Sequence, residues 1–194
     1  MLVCYDANTG KILWKKAGAI APQAIAEGYL IGTSQYDGQQ YCFGKGKTTA
    51  TVTASPNTAV NGSGVLIEGT VMDLSPAQPN TPAVSEEDMS EWMDYLHGQN
   101  ATLINSPPVP TGVSVQLTAV GSDGTVVDLG TVTTDSAGHF SKAWSPTAQG
   151  LYAVYAAFVG SSSYWSSSAE TALSVGPAPE TSQTPEIPTP VDPP

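Results

Sequence analysis

The side chains best suited to chemistry in this 194-residue chain are two histidines and a number of carboxylates. His97 and His139 lie in different segments, and neither has a cysteine or acid at metal-ligand spacing, so no zinc site is predicted. The sequence lacks a nucleophile elbow, a phosphate loop and a dinucleotide fingerprint, and the stretch GSSSYWSSS has no base near it. We therefore predict a protein that is not an enzyme and binds no cofactor.

Three aspartates, Asp123, Asp128 and Asp135, fall in or near predicted loops. Clustered loop oxygens can bind Ca²⁺, which is one interpretation of these acids. The other is that they support turns, because Asp and Gly favour turns in stretches such as GSDGT and TDSAGH. The turn interpretation is favoured, and no metal site is predicted.

Two neighbouring aromatic residues, Tyr164 and Trp165, are candidates for binding a partner. They would stack on a sugar ring if exposed, or plug one end of the fold if turned inward. Asn61 and Asn100 begin Asn-X-Ser/Thr sequons and are candidate glycosylation sites. Both sequons are a hint of an extracellular or cell-surface location.

The net charge of −11 is distributed unevenly along the chain. Residues 1–47 contain five Lys and three acids, whereas residues 48–194 contain 14 acids and only Lys142. The chain has no Arg and no cationic stripe, which excludes nucleic acid as a partner. No stretch reaches the roughly 18 apolar residues of a membrane helix, and Met1 opens on a strand-like run, so neither a span nor a signal is predicted. We interpret the acidity as surface solvation.

Composition favours a mainly β protein in three parts. The 19 Gly, 16 Pro and many short β-branched runs indicate strands joined by turns. The predicted parts are residues 1–46, residues 47–176 and the tail 177–194. The tail has 7 Pro in 18 residues and is predicted to be extended and disordered.

Residues 1–46 are predicted to form about five short strands. In YDANTGKILW, Asp and Asn can bond their own backbone, Gly provides a positive φ, and a Trp follows. An internal echo places Cys4 and Cys42 in matching contexts 38 residues apart. We predict two buried free cysteines, with a disulfide as the alternative.

The stretch YDANTGKILW resembles the PQQ-binding-like β-propeller repeat, in which an Asp, a Thr-Gly turn and a Trp dock neighbouring blades. The matching residues are Asp6, Thr9, Gly10 and Trp14. The resemblance covers residues 1–46 and implies the last blade and a half of a larger ring, in a surface protein of archaeal type. Enzymes of this family need a complete ring, a quinone, Ca²⁺ and an Asp base, which these residues do not provide.

Residues 48–175 contain seven strand-like runs bounded by turn residues, as in a β-sandwich. Alternation predicts two inward-facing sets, one from Val113 to Ala119 and one from Tyr152 to Phe158. The Gly-x-Tyr at Tyr152 is typical of a tyrosine corner. Lys142 is predicted at an exposed edge, with a buried carboxylate pair as the alternative. The segment resembles bacterial or archaeal Ig-like domains, which implies a stalk, spacer or adhesive module.

An insertion at about residues 76–110 is predicted to carry one amphipathic helix. Ser85 is the predicted N-cap and Gly98 the predicted stop. Its apolar stripe contains Met89, Trp92, Met93 and Leu96. We expect the stripe to pack on the sandwich face that bears Ala153 and Tyr155, or against residues 1–46. The alternative is a partner-binding surface that uses Trp92 and Tyr155.

The leading functional prediction is a non-catalytic extracellular or cell-surface module that spaces or displays a propeller. One alternative is an adhesive module that binds glycans, other surface proteins or copies of itself, including by strand addition at an open edge. A further alternative is a fragment of a quinoprotein-like redox enzyme.

Overall fold

The computed structural model describes residues 1–76, 79–97, 102 and 105–178, and within these the chain is mainly β, as predicted. The strands and helix are β1 (Leu2–Tyr5), β2 (Ile12–Lys16), β3 (Ile20–Ala26), β4 (Tyr29–Ser34), β5 (Gln40–Phe43), β6 (Thr48–Ser55), β7 (Thr58–Val60), β8 (Val65–Asp73), α1 (Met89–Leu96), β9 (Ser114–Gly121), β10 (Val126–Thr133), β11 (His139–Trp144), β12 (Gly150–Phe158) and β13 (Ser167–Gly176).

Strands β6 to β13 form an Ig-like sandwich of two sheets. The five-stranded sheet has the order β10-β9-β12-β13-β7, and the three-stranded sheet has the order β11-β8-β6. All seven predicted runs are strands. Strand β7, which pairs parallel with β13, was not predicted. Its three residues are too few to show the alternation of apolar and polar residues that indicates a strand.

The hydrophobic core lies between these two sheets. Fully buried residues come from both of them, including Ile67, Leu117, Val154 and Leu173. The two predicted inward-facing sets are buried, which confirms the alternation argument for β9 and β12. The Tyr152 hydroxyl donates a hydrogen bond to the Ala148 carbonyl oxygen at 3.0 Å, so the tyrosine corner is also confirmed.

Two of the edge strands of the sandwich, β10 and β11, carry features that discourage pairing with another chain. β10 has a register shift at Gly130, whose φ is +85°, and an exposed acid at Asp128. β11 has Lys142, which is exposed as predicted for an edge; the alternative of a buried carboxylate pair is wrong. Bulges and edge lysines of this kind block strand addition.

Residues 1–46 form the five predicted strands, arranged as the hairpin β1-β2 and the sheet β3-β4-β5. Asp6 Oδ1 accepts hydrogen bonds from the amides of Asn8 and Thr9, and Gly10 has a φ of +69°. Trp14 stacks on Phe43 of β5 with ring centroids 6.2 Å apart, which joins the hairpin to the sheet. A propeller blade has four strands in one sheet, so the docking role inferred from the resemblance stays a prediction.

The prediction that both cysteines are buried is wrong. Cys42 is exposed and Cys4 is half-buried, and both are free thiols, so the alternative of a disulfide is not observed either. Their strands belong to small sheets, and Cys42 lies opposite Ile31 on a face that is open to solvent, where Ile31 and Tyr29 are also exposed. The local pattern of apolar neighbours indicated burial, but no layer covers that face in the described residues.

Helix α1 begins later than predicted. Its N-cap is Asp88, and Ser85 Oγ instead accepts a hydrogen bond from the Asp88 amide at 3.4 Å in the turn before the helix. The Asp88 carboxylate bonds the Thr111 amide at 2.6 Å rather than capping the helix. The predicted stop, Gly98, lies outside the described residues. In the part of the chain that the structure describes, no helix is long and apolar enough to cross a membrane.

Helix α1 joins the N-terminal strands to the sandwich. Asp94 Oδ1 lies 2.6 Å from Lys16 Nζ, and the side chains of Asp94 and Lys16 are only 14% and 4% exposed. The same oxygen accepts a hydrogen bond from the Ala17 amide at 2.9 Å. At the C-cap of the helix, three residues after Asp94, Tyr41 meets His97 edge to face, with ring centroids 5.1 Å apart. Burial lowers the pKa of His97, and the nearby Lys16 ammonium lowers it further.

These contacts decide between the two predicted positions of the helix. α1 packs against β2, as one of the alternatives had it, while Met89 packs on the core of the sandwich. The face that bears Ala153 and Tyr155 is not its binding surface, since Tyr155 stays 37% exposed. Charge explains this position of the helix, because Lys16 in the N-terminal region forms the ion pair with Asp94.

Candidate interaction surfaces

The loop carboxylates serve their own turns. Asp123 accepts hydrogen bonds from the Thr125 amide and hydroxyl, and Asp128 accepts one from the Gly130 amide at 2.8 Å. Asp135 bonds two amides of its own turn. These bonds lower the pKa values of Asp123 and Asp135. Among the described residues, no group of three or more His, Cys, Asp or Glu side chains is placed to hold a metal.

One groove on the sandwich brings together residue types found in hydrolases. Asp135, His139 and Ser141 line it with Glu68 and Thr70. Sequence reasoning missed this group, although positions 139 and 141 share one side of a strand. His139 Nδ1 lies 3.8 Å from Asp135 Oδ1, beyond hydrogen-bond range, and both side chains are exposed. A catalytic triad needs a buried, hydrogen-bonded acid to orient the histidine, so this geometry does not form one.

Tyr164 takes the inward alternative and plugs one end of the sandwich. It is 2% exposed, and its hydroxyl donates to Asp73 Oδ2 at 3.2 Å. The other Asp73 oxygen accepts a hydrogen bond from the Ser75 amide at 2.6 Å. Burial raises the pKa of Tyr164 above its usual value, and the Asp73 charge adds to the effect. Tyr164 is therefore unavailable to stack on a sugar.

The raised pKa of Tyr164 predicts a loss of stability at high pH. The folded protein holds this phenolic proton more tightly than the unfolded chain, so stability is lost as pH rises above about 10. We expect the free energy of unfolding, measured with denaturant at pH 8 to 11, to fall less steeply in Tyr164→Phe than in the wild type. Tyr36→Phe, at an exposed position, is the control. Parallel pH curves for Tyr164→Phe and wild type would contradict the prediction.

Trp165 is exposed but partly covered. It is 55% exposed, and Lys45 Nζ lies 4.5 Å from the ring centroid in a cation–π contact. Its amide donates to the Gly46 carbonyl oxygen at 2.8 Å, which fixes the loop against the end of the N-terminal region. A sugar that stacks on this ring face would have to displace the lysine. Such contacts at exposed sites are worth about 0.5–1 kcal/mol.

The remaining candidate residues are less accessible. Trp92 is 8% exposed and packs beside Tyr95, so it belongs to the docked side of α1. Asn61 is half-buried in the turn after β7, where its backbone N–H donates a hydrogen bond to the Gly176 carbonyl oxygen. Asn100 lies outside the described residues. Glycosylation at both sequons stays a prediction.

The outer face of the five-stranded sheet carries one polar row across four strands. Tyr155 on β12 lies opposite Glu170 on β13 and Thr118 on β9, and Thr118 in turn lies opposite Asp128 on β10. The neighbouring Glu170 charge raises the pKa of the Tyr155 phenol. The row therefore places an aromatic ring between two carboxylates on a flat surface.

The next row of the same face is apolar. Val126, Val120, Ala153 and Ala172 follow one another across the sheet, and exposed Leu151 lies beside them. Small side chains dominate this row, so the surface is flat and weakly hydrated. We call the surface formed by both rows the Tyr155 face.

The hairpin β1-β2 displays a second exposed apolar surface. Tyr5, Ile12 and Leu13 are each at least half exposed. Ile12 and Leu13 both reach solvent because the hairpin register shifts between Cys4 and Tyr5. Lys11 and Lys15 are exposed beside them. We call this the hairpin surface, defined by Tyr5, Lys11, Ile12, Leu13 and Lys15.

No family model matches the chain, and no curated protein matches its sequence. One solved structure that matches is the CARDB domain of a Pyrococcus furiosus protein, described as a complex with di-metal ions; its identity is 14% and its TM-score 0.34, over 68% of this chain and 94% of that one. Another is BslA, a bacterial hydrophobin, with 14% identity and a TM-score of 0.26, over 69% of this chain and 97% of that one. Similarity at this level does not determine the fold or the function of this chain. The strand order and the buried core described above define its class, a mainly β protein with an Ig-like sandwich.

Proposed function

We propose that the chain is a non-catalytic cell-surface module that holds interaction surfaces in place. The observation that carries this is the contrast between a well-packed sandwich interior and the uncovered Tyr155 face and hairpin surface. Exposed apolar patches on a folded domain are typical of surfaces that bind partners. The loop carboxylates also support the proposal, since their oxygens already bond the turns they stand in.

The groove with Asp135, His139 and Ser141 provides the sharpest test of the non-catalytic role. We expect chromogenic ester, peptide and glycoside substrates to turn over no faster with the protein than in buffer. Ser141→Ala and His139→Ala are the variants, and Lys142→Ala is the control on the same strand. Saturable turnover that both variants abolish and the control retains would overturn the proposal.

A second candidate function is adhesion to glycans, favoured by the exposed ring of Trp165. Lys45 covers one face of that ring, so Lys45→Ala is expected to increase binding to any glycan that the wild type binds. Trp165→Ala is expected to abolish that binding. A glycan array with both variants and Tyr155→Ala separates the two aromatic sites. An array on which wild type and Lys45→Ala both fail to bind excludes this candidate.

The resemblance of residues 1–46 to propeller repeats supports a display role in which the sandwich spaces a ring of blades. The same resemblance motivates the weaker candidate of a quinone-binding fragment. An absorbance titration with quinone tests that candidate, and we expect no spectral change.

A further inference from the structure

Two surfaces of this chain are complementary to each other in both charge and polarity. The hairpin surface has two exposed lysines around Tyr5, Ile12 and Leu13. The Tyr155 face has two carboxylates, Asp128 and Glu170, in the polar row beside its apolar row. Both surfaces are exposed in a single copy, so each is free to contact the other surface of a second copy.

The charge distribution of the whole chain favours the same pairing. Residues 1–47 carry five Lys against three acids, a formal charge of +2, and residues 48–194 carry one Lys against 14 acids, a formal charge of −13. At about 0.1 M salt the Debye length is about 10 Å, so distant charges are screened and contacting charges decide. Contact between like ends of two copies is disfavoured, and contact between opposite ends is favoured.

Opposite charges border the apolar side chains of the two surfaces. Lys15 pairs with Val3 on the side of the hairpin that bears Tyr5 and Ile12, and Lys11 directly precedes Ile12. Asp128 and Glu170 are separated by three strand intervals, which is about 14 Å at the usual strand spacing. Exposed apolar side chains lie beside both sets of charges, with Ile12 and Leu13 on one surface and Val126 and Leu151 on the other.

We propose that a second copy of this chain occupies the Tyr155 face through its hairpin surface, in a head-to-tail contact. This inference rests on the proposed function and names the partner of one of its surfaces. The two patches differ, so the contact is heterologous and leaves one free surface at each end of a pair. Repetition of such a contact gives open chains of copies unless the rotation between them closes a ring.

Charge reversal at each surface tests the contact. We expect Lys15→Glu and Glu170→Lys each to weaken self-association by roughly tenfold, measured by sedimentation velocity at about 0.1 M salt. A mixture of the two variants is expected to associate again, because each retains the surface that the other has lost. Matched controls are Lys142→Glu and Glu68→Lys, which make the same changes in charge on the three-stranded sheet and should leave association unchanged.

The outcomes separate this inference from the proposed function. A wild-type chain that stays monomeric at high concentration overturns the head-to-tail contact, and so does association that responds equally to the variants and their controls. Association that survives every charge reversal points to strand addition and also overturns it. None of these results bears on the substrate and glycan tests, which decide the proposed function independently.

Discussion

Asp94→Ala is expected to release the N-terminal strands from helix α1. It leaves the Lys16 ammonium buried without its partner and removes the acceptor of the Ala17 amide. Removing one member of a buried ion pair costs about 3–5 kcal/mol. Hydrogen exchange should show faster exchange of amides in β1, β2 and α1, while β9 and β12 in the sandwich core keep their protection.

Two further variants identify the cause of that loss. Asp94→Asn keeps an oxygen acceptor for Ala17 but no charge, so it should fall between the wild type and Asp94→Ala. The pair Lys16→Met with Asp94→Leu removes both charges and should restore much of the protection, because apolar replacement of a buried ion pair is often tolerated. Exchange in Asp94→Ala that matches the wild type would show that the ion pair does not hold the helix.

Gly69→Ala is expected to destabilise the sandwich by about 3 kcal/mol or more. A Cβ at this position would meet the carbonyl oxygen of Thr51 on β6 and would lie 2.7 Å from Cζ of Phe140 on β11. Both neighbouring strands of β8 would have to move, because Gly69 pairs with Val52 on one side and Phe140 on the other. Chemical denaturation followed by Trp fluorescence measures the change.

Gly64→Ala is the matched control for this prediction. A Cβ at Gly64 meets nothing within 4 Å, and its backbone does not require a glycine conformation. We expect the free energy of unfolding to change by less than about 0.5 kcal/mol. Equal effects of the two substitutions would mean that the close approach at Gly69 does not constrain the sheet.

The sandwich could be predicted from the sequence because its information is local. Alternation in β9 predicts that Val115 and Leu117 point inward, and the Gly-x-Tyr at Tyr152 predicts the tyrosine corner. The residues of each strand are therefore enough to predict which of its sides faces the core. The position of α1 could not be predicted in this way. The apolar stripe of the helix fits either surface, and the deciding contact is between Asp94 and Lys16, 78 residues apart.

The candidate surfaces were only partly predictable for the same reason. Adjacent Tyr164 and Trp165 look alike in sequence, yet one is buried on Asp73 and the other is exposed under Lys45. Sequence shows neither contact, because Asp73 and Lys45 are far away along the chain. Tyr155 was identified by its apolar neighbours, but its position between Glu170 and Asp128 depends on strand order and register.

The parallel pairing of β7 with β13 has a mechanical consequence. β7 lies near the start of the sandwich and β13 at its end, and their register runs from Thr58 opposite Ser174 to Val60 opposite Gly176. Tension applied to the two ends drags these strands past each other along their length. The hydrogen bonds between them then share the load in shear rather than peeling apart one by one. A sandwich connected in this way resists extension between its two ends.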